Sequence, residues 1–357
     1  RLTSDADTVL GTSGDDLVSG TSATLNPGDS LAGGDGTDTL TLSGGGSFHL
    51  DQLAQFTGFE NVQVQGSGSY DLTLGEAGLE VDLSAAQAGG TVGLGSGVSR
   101  VKLSGSSNTL NFSTGATTVE GAANGSFFNL SSGDAVFRLD SVFESTYNLS
   151  SGSADFTINS LGRSTFNLGT GQFNLVVNND SGASGIRTVN LSSGSYNIEN
   201  KSARPYGIRA VADTNDDFHV GDSLTNVQLV LQASSPTTYN LSNLSLNNVA
   251  VQLNGATLIG DGLAGVTAVN GSGSSALVYS GTMADLAGIP VSNVAVTSTN
   301  ATGTTFRVGD AGTALQIQGG AGNDTIDARS VTLTAAQRQQ IFTQGSIETI
   351  QDASGTY

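Results

Sequence analysis

The feature that most constrains the fold is a repeated triplet of an aromatic residue, asparagine and leucine. Its copies begin at Phe128, Tyr147 and Phe166, at a constant interval of 19 residues. Looser copies are Leu110-Asn111-Phe112, Val189-Asn190-Leu191 and Tyr239-Asn240-Leu241. A fixed internal period of this length is the signature of a repeat architecture, in which each period forms one structural unit.

A second set of apolar residues lies about eight residues after each triplet. Its members are Phe137 with Leu139, Phe156 with Ile158, Phe173 with Leu175, and Tyr196 with Ile198. Ser- and Gly-rich turns separate the two sets, as in Ser150-Ser151-Gly152-Ser153. Each period therefore predicts two short strands.

Alternation within these strands predicts the fold class. Side chains alternate between the two faces of a strand, so Tyr147 and Leu149 share one face while Thr146 and Asn148 take the other. One coil cannot bury such an apolar face alone, but stacked coils form a continuous core. The sequence predicts an all-β chain that forms a parallel β-solenoid, a β-helix or β-roll, in the shape of a stiff rod.

Composition limits the classes of partner. The 50 glycines and 12% charged residues suit short strands and tight turns better than a helical enzyme. A net charge of −19 disfavours nucleic acid and anionic membranes but suits divalent cations. The chain has no Cys, which excludes thiol nucleophiles and disulfides, and no apolar run long enough for a membrane span. Because it begins at Arg1, we expect a mature fragment or export without a cleaved signal.

Three Gly-Asp segments lie near the two ends of the chain. They are GTSGDDLVS at 11–19, GGDGTDTLT at 33–41 and GGAGNDTID at 319–327, and they follow the pattern G-G-x-G-x-D-x-U-x, the first with Thr12 in place of the second Gly. Glycine turns expose backbone carbonyls and aspartate supplies a carboxylate, which are the oxygen ligands that Ca²⁺ takes. The apolar residue at U anchors a strand.

This pattern resembles the repeats-in-toxin family, the hemolysin-type calcium-binding repeats of secreted bacterial proteins. The resemblance covers about a quarter of the chain. It implies a β-roll with calcium-binding turns near both ends and Ca²⁺ as the cofactor. The metal ligands predicted on the motifs and on the acidic residues nine positions earlier are Asp7, Gly11, Gly14, Asp16, Asp29, Gly33, Asp35, Gly36, Asp38, Gly319, Gly322 and Asp324.

A longer echo between the two ends predicts the domain organisation. The Gly-Asp turns at 33–41 and 319–327 are each followed by a strand, a short helix candidate and a segment of the type Phe59-Glu60-Asn61-Val62. We expect an N-terminal calcium-repeat module at 1–64, a central solenoid at 65–318 and a C-terminal module at 319–357. The C-terminal helix is predicted at 335–342 with Thr334 as N-cap. Residues 201–220 break the period and are predicted to form an inserted loop.

The candidate catalytic residues do not form a recognised constellation, so the chain is predicted not to be an enzyme. The densest group lies in the 201–220 loop and comprises Arg204, Tyr206, Arg209, Asp213, Asp216, Asp217 and His219. A β-helix polysaccharide lyase or epimerase using these residues is one alternative. A carbohydrate- or ice-binding module using the outward Thr and Asn rows is another.

The preferred interpretation is an extracellular, calcium-dependent structural protein of the surface-layer, adhesin or matrix type. The expected localisation is secreted, outside the cell or at its surface. The partners expected are other copies of the chain, in a homo-oligomer, sheet or filament, and a cell-surface polysaccharide. This comparison of types is an analogy, because a fold alone does not determine function.

Overall fold

A computed structural model describes residues 1–75, 78–105, 107–179, 185–213, 218–233 and 238–357. Over these residues the chain is nearly all β, and its parallel, stacked strands form a β-solenoid of about 16 turns. The predicted fold class is therefore confirmed. By internal contacts the chain divides into two units, Arg1–Asn190 with Lys201–Ala203, and Leu191–Asn200 with Arg204–Tyr357.

The first unit contains three groups of parallel strands, in each of which successive strands are neighbours. Group one comprises Thr8–Leu10, Ser30–Ala32 and Gln55–Thr57. Group two comprises Leu17–Gly20, Thr39–Ser43, Asn61–Gly66, Glu80–Ala86, Arg100–Ser104, Thr117–Asn124, Ala135–Phe143, Ala154–Ile158 and Phe173–Val177. Group three comprises Gly46–His49, Tyr70–Thr73, Thr91–Gly93, Thr109–Asn111, Phe127–Asn129, Thr146–Asn148, Thr165–Asn167 and Arg187–Asn190. A short 3₁₀ helix, Leu50–Gln52, occupies the place of the first helix candidate.

The second unit contains four groups of strands. The first two are Tyr196–Asn200, Ser223–Thr225 and Ser245–Asn247, and then Ile208–Ala212, Gln228–Gln232, Val249–Asn254, Val266–Ser272 and Val291–Ser292. The third is Thr238–Asn240, Thr257–Ile259, Ala276–Tyr279, Ala295–Ser298 and Ile317–Gly319. The fourth is Met283–Leu286, Thr305–Val308, Thr325–Ala328, Thr349–Asp352 and Gly355–Thr356, of which the last strand is antiparallel to its neighbour.

Stacked aromatic rings form part of the core of the first unit, beside buried leucines and valines. Phe128, Tyr147 and Phe166 stack face to face at centroid distances of 4.5 and 4.7 Å. Phe137 and Phe156 form a second stack at 4.2 Å, which meets the edge of the Tyr147 ring. All five rings are buried. The repeated aromatic position of the sequence therefore becomes a continuous aromatic column, because equivalent residues of successive coils lie one ladder step apart.

The predicted alternation is confirmed at the aromatic position and is weaker at the leucine. Tyr147 is buried and Asn148 is exposed, whereas Leu149 is only half-buried. The strand ends at Asn148, and the Leu149 N–H donates to the carbonyl oxygen of Asn167 in the next coil. The leucine therefore lies in a corner of the coil, where strand alternation no longer applies.

The predicted C-terminal helix is confirmed. It spans Ala335–Gln344, and the Thr334 side chain accepts a hydrogen bond from the Gln337 N–H while the Gln337 side chain accepts one from Thr334. This reciprocal capping box satisfies donors that a helix start leaves free. A second helix, Ala311–Ala314, has Asp310 as its N-cap. Neither of these helices, nor any other helix in the described ranges, has the length and apolar character required to cross a membrane.

The segment 201–220, predicted as an inserted loop, contains the strand Ile208–Ala212. Ile208, Ala210 and Ala212 are buried on one face of this strand, so it contributes to the core. This strand was not predicted, because charged residues flank it and its buried face has only one large and two small apolar residues. Asp216 and Asp217 lie outside the described residues.

Replacing Phe156 by Ala is expected to lower the free energy of unfolding by about 3–5 kcal/mol, because the change opens a cavity between two aromatic stacks. Phe127→Ala is the matched control, since Phe127 is 50% exposed and should change stability by less than about 1 kcal/mol. Denaturant unfolding followed by circular dichroism measures both. Equal effects of the two variants would contradict the assigned core.

Candidate cation site at the Gly-Asp corners

The N-terminal Gly-Asp motifs place three carboxylates in a column, one in each of three successive coils. We call Asp16, Asp38 and Glu60 the N-terminal acidic column. The Asp16 N–H donates to Asp38 Oδ1 at 2.7 Å, and the Asp38 N–H donates to Glu60 Oε2 at 2.7 Å. Asp38 and Glu60 thus each accept the backbone N–H of the preceding coil at the point where a strand begins, whereas the Asp16 carboxylate accepts the Thr12 N–H of its own turn.

A second corner of the same coils has the same chemistry. The Asp7 N–H donates to Asp29 Oδ1 at 2.8 Å, and the Asn26 N–H donates to Asp29 Oδ2 at 2.8 Å. Asp29 is fully buried, and both of its oxygens have a backbone donor. Asp7 in turn accepts from the backbone N–H and hydroxyl of Thr3. These carboxylates act as caps of backbone amides, a role that the motif alone did not reveal.

The C-terminal motif repeats the arrangement in the second unit. The Thr304 N–H donates to Asp324 Oδ1 and the Gly320 N–H to Asp324 Oδ2, both at 2.7 Å. The Asp324 N–H donates to Glu348 Oε2 at 2.6 Å. We call Asp324 and Glu348 the C-terminal acidic column. Charge-assisted bonds from backbone amides to a carboxylate are stronger than neutral ones, so Asp324 holds two coils and its own turn together.

Asp38 differs from the other capping aspartates. Its side chain is fully buried, Oδ1 accepts the Asp16 N–H, and Oδ2 has no hydrogen-bond partner. In Asp16 the oxygen that corresponds to Oδ2 accepts from the Thr12 N–H at 2.6 Å. A buried carboxylate oxygen without a donor is costly, so Asp38 is the position in this column where a cation would lower the free energy.

Close backbone contact explains the glycines of the first two motifs. A Cβ on Gly33 would lie 1.9 Å from the carbonyl oxygen of Gly58 and 2.5 Å from Asp38 Oδ2. A Cβ on Gly11 would lie 1.5 Å from the carbonyl oxygen of Gly33. Gly36 has φ +115°, a conformation that L side chains rarely adopt, and it lies over Gly14. These glycines let the coil corners stack directly upon each other.

The predicted ligands therefore separate into groups. The structure brings Asp16, Asp38, Gly11 and Gly33 together at one corner and Asp7 with Asp29 at another. The Asp35 side chain is exposed, and its backbone N–H donates to the Thr12 carbonyl oxygen. Gly319 lies beside Asp324 Oδ2, and Gly322 packs against the backbone of Gly303.

These corners fit Ca²⁺ unequally. Within the described ranges, His, Asp and Glu side chains do not gather in groups of three or more suited to holding a metal ion. At Asp324 both oxygens already accept backbone donors, whereas at Asp38 one buried oxygen remains free to act as a ligand. A cation at Asp38 would take this oxygen together with oxygens of the Gly-rich turns, and it would neutralise a buried charge.

Sequence reasoning missed the glutamates of both columns. Glu60 lies in Phe59-Glu60-Asn61-Val62, and Glu348 lies in the equivalent Ile347-Glu348-Thr349-Ile350. The signal was therefore present in the echo between the two ends. It also missed Asp222, which is buried and accepts the N–H groups of Tyr196 and His219 at 2.9 and 2.8 Å.

Of the residues proposed for a lyase, Tyr206 and Arg209 belong to the coils of the second unit. Tyr206 has a left-handed backbone, with φ 68°, and its hydroxyl bonds Asn248 Oδ1 and Thr267 Oγ1 at 2.8 and 2.7 Å. Arg209 lies in the strand Ile208–Ala212, and its buried Nε has no hydrogen-bond partner. Tyr206 thus links neighbouring coils of the second unit.

Asp324→Asn is expected to lower the free energy of unfolding by about 1–3 kcal/mol. An asparagine offers one carbonyl oxygen, so one of the two backbone N–H donors faces an NH₂ group whichever way the amide turns. Asp35→Asn, at an exposed aspartate of another Gly-Asp turn, is the control and should be neutral. Chemical denaturation in the presence of a chelator measures the capping role alone, and no loss for Asp324→Asn would refute it.

Comparison with known proteins identifies no relative. No protein-family model, curated protein or solved structure matches the chain. The likeness to repeats-in-toxin proteins therefore remains the motif resemblance described above.

Proposed function

We propose that this chain is an extracellular structural protein of the surface-layer, adhesin or matrix type, stabilised by Ca²⁺ at its Gly-Asp corners. The observation that carries the proposal is the free Oδ2 of Asp38, a buried anionic oxygen within a column of carboxylates. Ca²⁺ binds oxygen ligands of this kind with flexible geometry. Support for secretion comes from the motif resemblance.

Electrostatics favours a calcium-dependent fold. The N-terminal acidic column stacks three carboxylates in successive coils of a chain with net charge −19. Like charges one ladder step apart, about 4.8 Å, raise the free energy of the folded coil. A bound divalent cation reverses that contribution. The folded state of such a chain is less stable where Ca²⁺ is scarce and more stable at the higher Ca²⁺ concentrations outside a cell.

Repetition of stabilising contacts from coil to coil favours an architectural role. In the first unit, aromatic stacks lie inside and hydrogen-bonded Asn side chains lie outside at equivalent positions of successive coils. Stability in such arrays is approximately a sum over coils and their neighbour contacts. The free energy is thus distributed along the stack, as suits a scaffold.

Saturating Ca²⁺ is expected to raise the melting temperature of the native chain, because one site filled at 100 times its Kd adds about 2.7 kcal/mol. Asp38→Asn should abolish the rise, since it removes the only free carboxylate oxygen of Asp38. Asp35→Asn, three positions away and exposed, should retain it. Calorimetry in CaCl₂, in MgCl₂ and in chelator measures the three proteins. A native melting temperature unaffected by chelator would contradict the proposal.

Self-association is expected to use an exposed strand edge of the first unit. Leu17–Gly20 is the outermost strand of its group, and the Leu2 N–H covers its Ser19 carbonyl oxygen while the Leu17 side chain stays 71% exposed. Leu10, in the strand Thr8–Leu10, is 78% exposed. An exposed edge with apolar side chains is a template for pairing, and lysine on an edge prevents it. Leu17→Lys should therefore yield monomers in sedimentation velocity, whereas Val220→Lys, at another exposed apolar residue, should associate like the native chain. Identical sedimentation of both variants would exclude this edge.

A further inference from the structure

Two rows of outward side chains form a regular polar strip on the first unit, which we call the Thr–Asn face. Six neighbouring strands contribute two outward residues each. In register, one row is Thr91, Thr109, Phe127, Thr146, Thr165 and Thr188, and the other is Gly93, Asn111, Asn129, Asn148, Asn167 and Asn190.

The asparagines of this face are hydrogen-bonded to each other. Each Nδ2 donates to Oδ1 of the preceding coil, in a continuous series from Asn190 to Asn111, at 2.7 to 2.9 Å. An amide has two donors and an oxygen with two acceptor positions, so the interior members of the series keep one of each for a ligand. The ladder fixes the direction of these groups before any ligand arrives, which reduces the entropy lost on binding.

Charge is absent from the outward positions of the Thr–Asn face, although the chain carries a net charge of −19. The neighbouring group of strands differs, because its outward positions carry Asp82, Lys102, Glu120 and Arg138 in register. An uncharged strip on an acidic chain does not attract a charged polymer. It suits a neutral ligand with many hydroxyl groups.

Phe127 interrupts the threonine row with an exposed aromatic ring. It lies between Thr109 and Thr146 in the register, and it is 50% exposed while the adjacent Phe128 is fully buried. An aromatic face among amides and hydroxyls suits a pyranose ring, whose C–H groups pack on the aromatic carbon while its hydroxyls bond the amides.

The dimensions of the face select a narrow ligand. Five ladder steps make it about 24 Å long, and the two rows lie about 7 Å apart. Such a strip presents far less than the roughly 800 Å² per partner that a stable protein dimer buries. A single extended polymer chain, lying along the stacking direction, would cover it.

We infer that the Thr–Asn face binds a neutral linear glycan, with one sugar ring packed on Phe127 and neighbouring hydroxyls bonded to the asparagine ladder. The inference rests on the adhesive part of the proposed function, for which it names the partner class. Glycan binding is expected to require no cation, because neither acidic column contributes a residue to the Thr–Asn face.

Affinity electrophoresis tests the inference. The gels contain uncharged derivatives of cellulose, chitin or β-1,3-glucan. Polyuronate gels and ice-affinity retention are run in parallel. We expect retardation by at least one neutral glycan in both chelator and CaCl₂. Phe127→Ala and Asn148→Ala should each weaken the apparent Kd by about tenfold.

Two matched variants serve as controls. Phe143→Ala removes another partly exposed phenylalanine, at 37% exposure, and Asn159→Ala removes an amide from a separate surface ladder with Asn178. Both should bind like the native chain, and circular dichroism should show all four variants folded. Three results would each overturn the inference. They are no retardation in any neutral gel, retention only by polyuronate or only by ice, and unchanged binding by Phe127→Ala. A calcium-independent melting temperature with intact glycan binding would overturn only the calcium proposal.

Discussion

Each coil of this solenoid depends on a neighbouring coil to satisfy its backbone hydrogen bonds. Parallel ladders do this along the strands, but at the corners the ladder stops and buried N–H groups need another acceptor. Side chains of the next coil supply it. Asp38 does so for Asp16, Asp222 for Tyr196, and Ser145 for Ser126 at 3.1 Å. The residue types differ while the structural task stays the same.

This constraint separates the inside of the first unit from its surfaces. Inside, equivalent aromatic residues stack because one ladder step brings them to ring-contact distance. Outside, the same step aligns amides on one group of strands and alternating charges on the other, where Arg100 pairs with Glu120 and hydrogen bonding to that carboxylate raises the Arg100 pKa. Exposed ion pairs contribute little to stability. The two surfaces therefore differ mainly in the kind of ligand that they attract, because one is uncharged and the other carries charges.

The sequence was sufficient for the features that depend on local periodicity. The 19-residue interval between Phe128, Tyr147 and Phe166 predicted the β-solenoid, and Thr334 as N-cap marked the helix start. Features that depend on the adjacent coil were not accessible in this way. The motif gave Asp38 as a calcium ligand, but it did not show that Oδ1 of Asp38 accepts the N–H of Asp16, 22 positions earlier in the chain. The strand Ile208–Ala212 was not predicted, because alanine is only weakly apolar and the alternation between the two faces of the strand is therefore weak.

The corner carboxylates also give the stack a direction. In both acidic columns the donor belongs to the earlier coil and the acceptor to the later one. The two sides of such a coil are chemically unlike, with amide hydrogens facing one neighbour and negative oxygens facing the other. A coil inserted upside down would set oxygen against oxygen, so growth of the stack by duplication of coils preserves a single orientation.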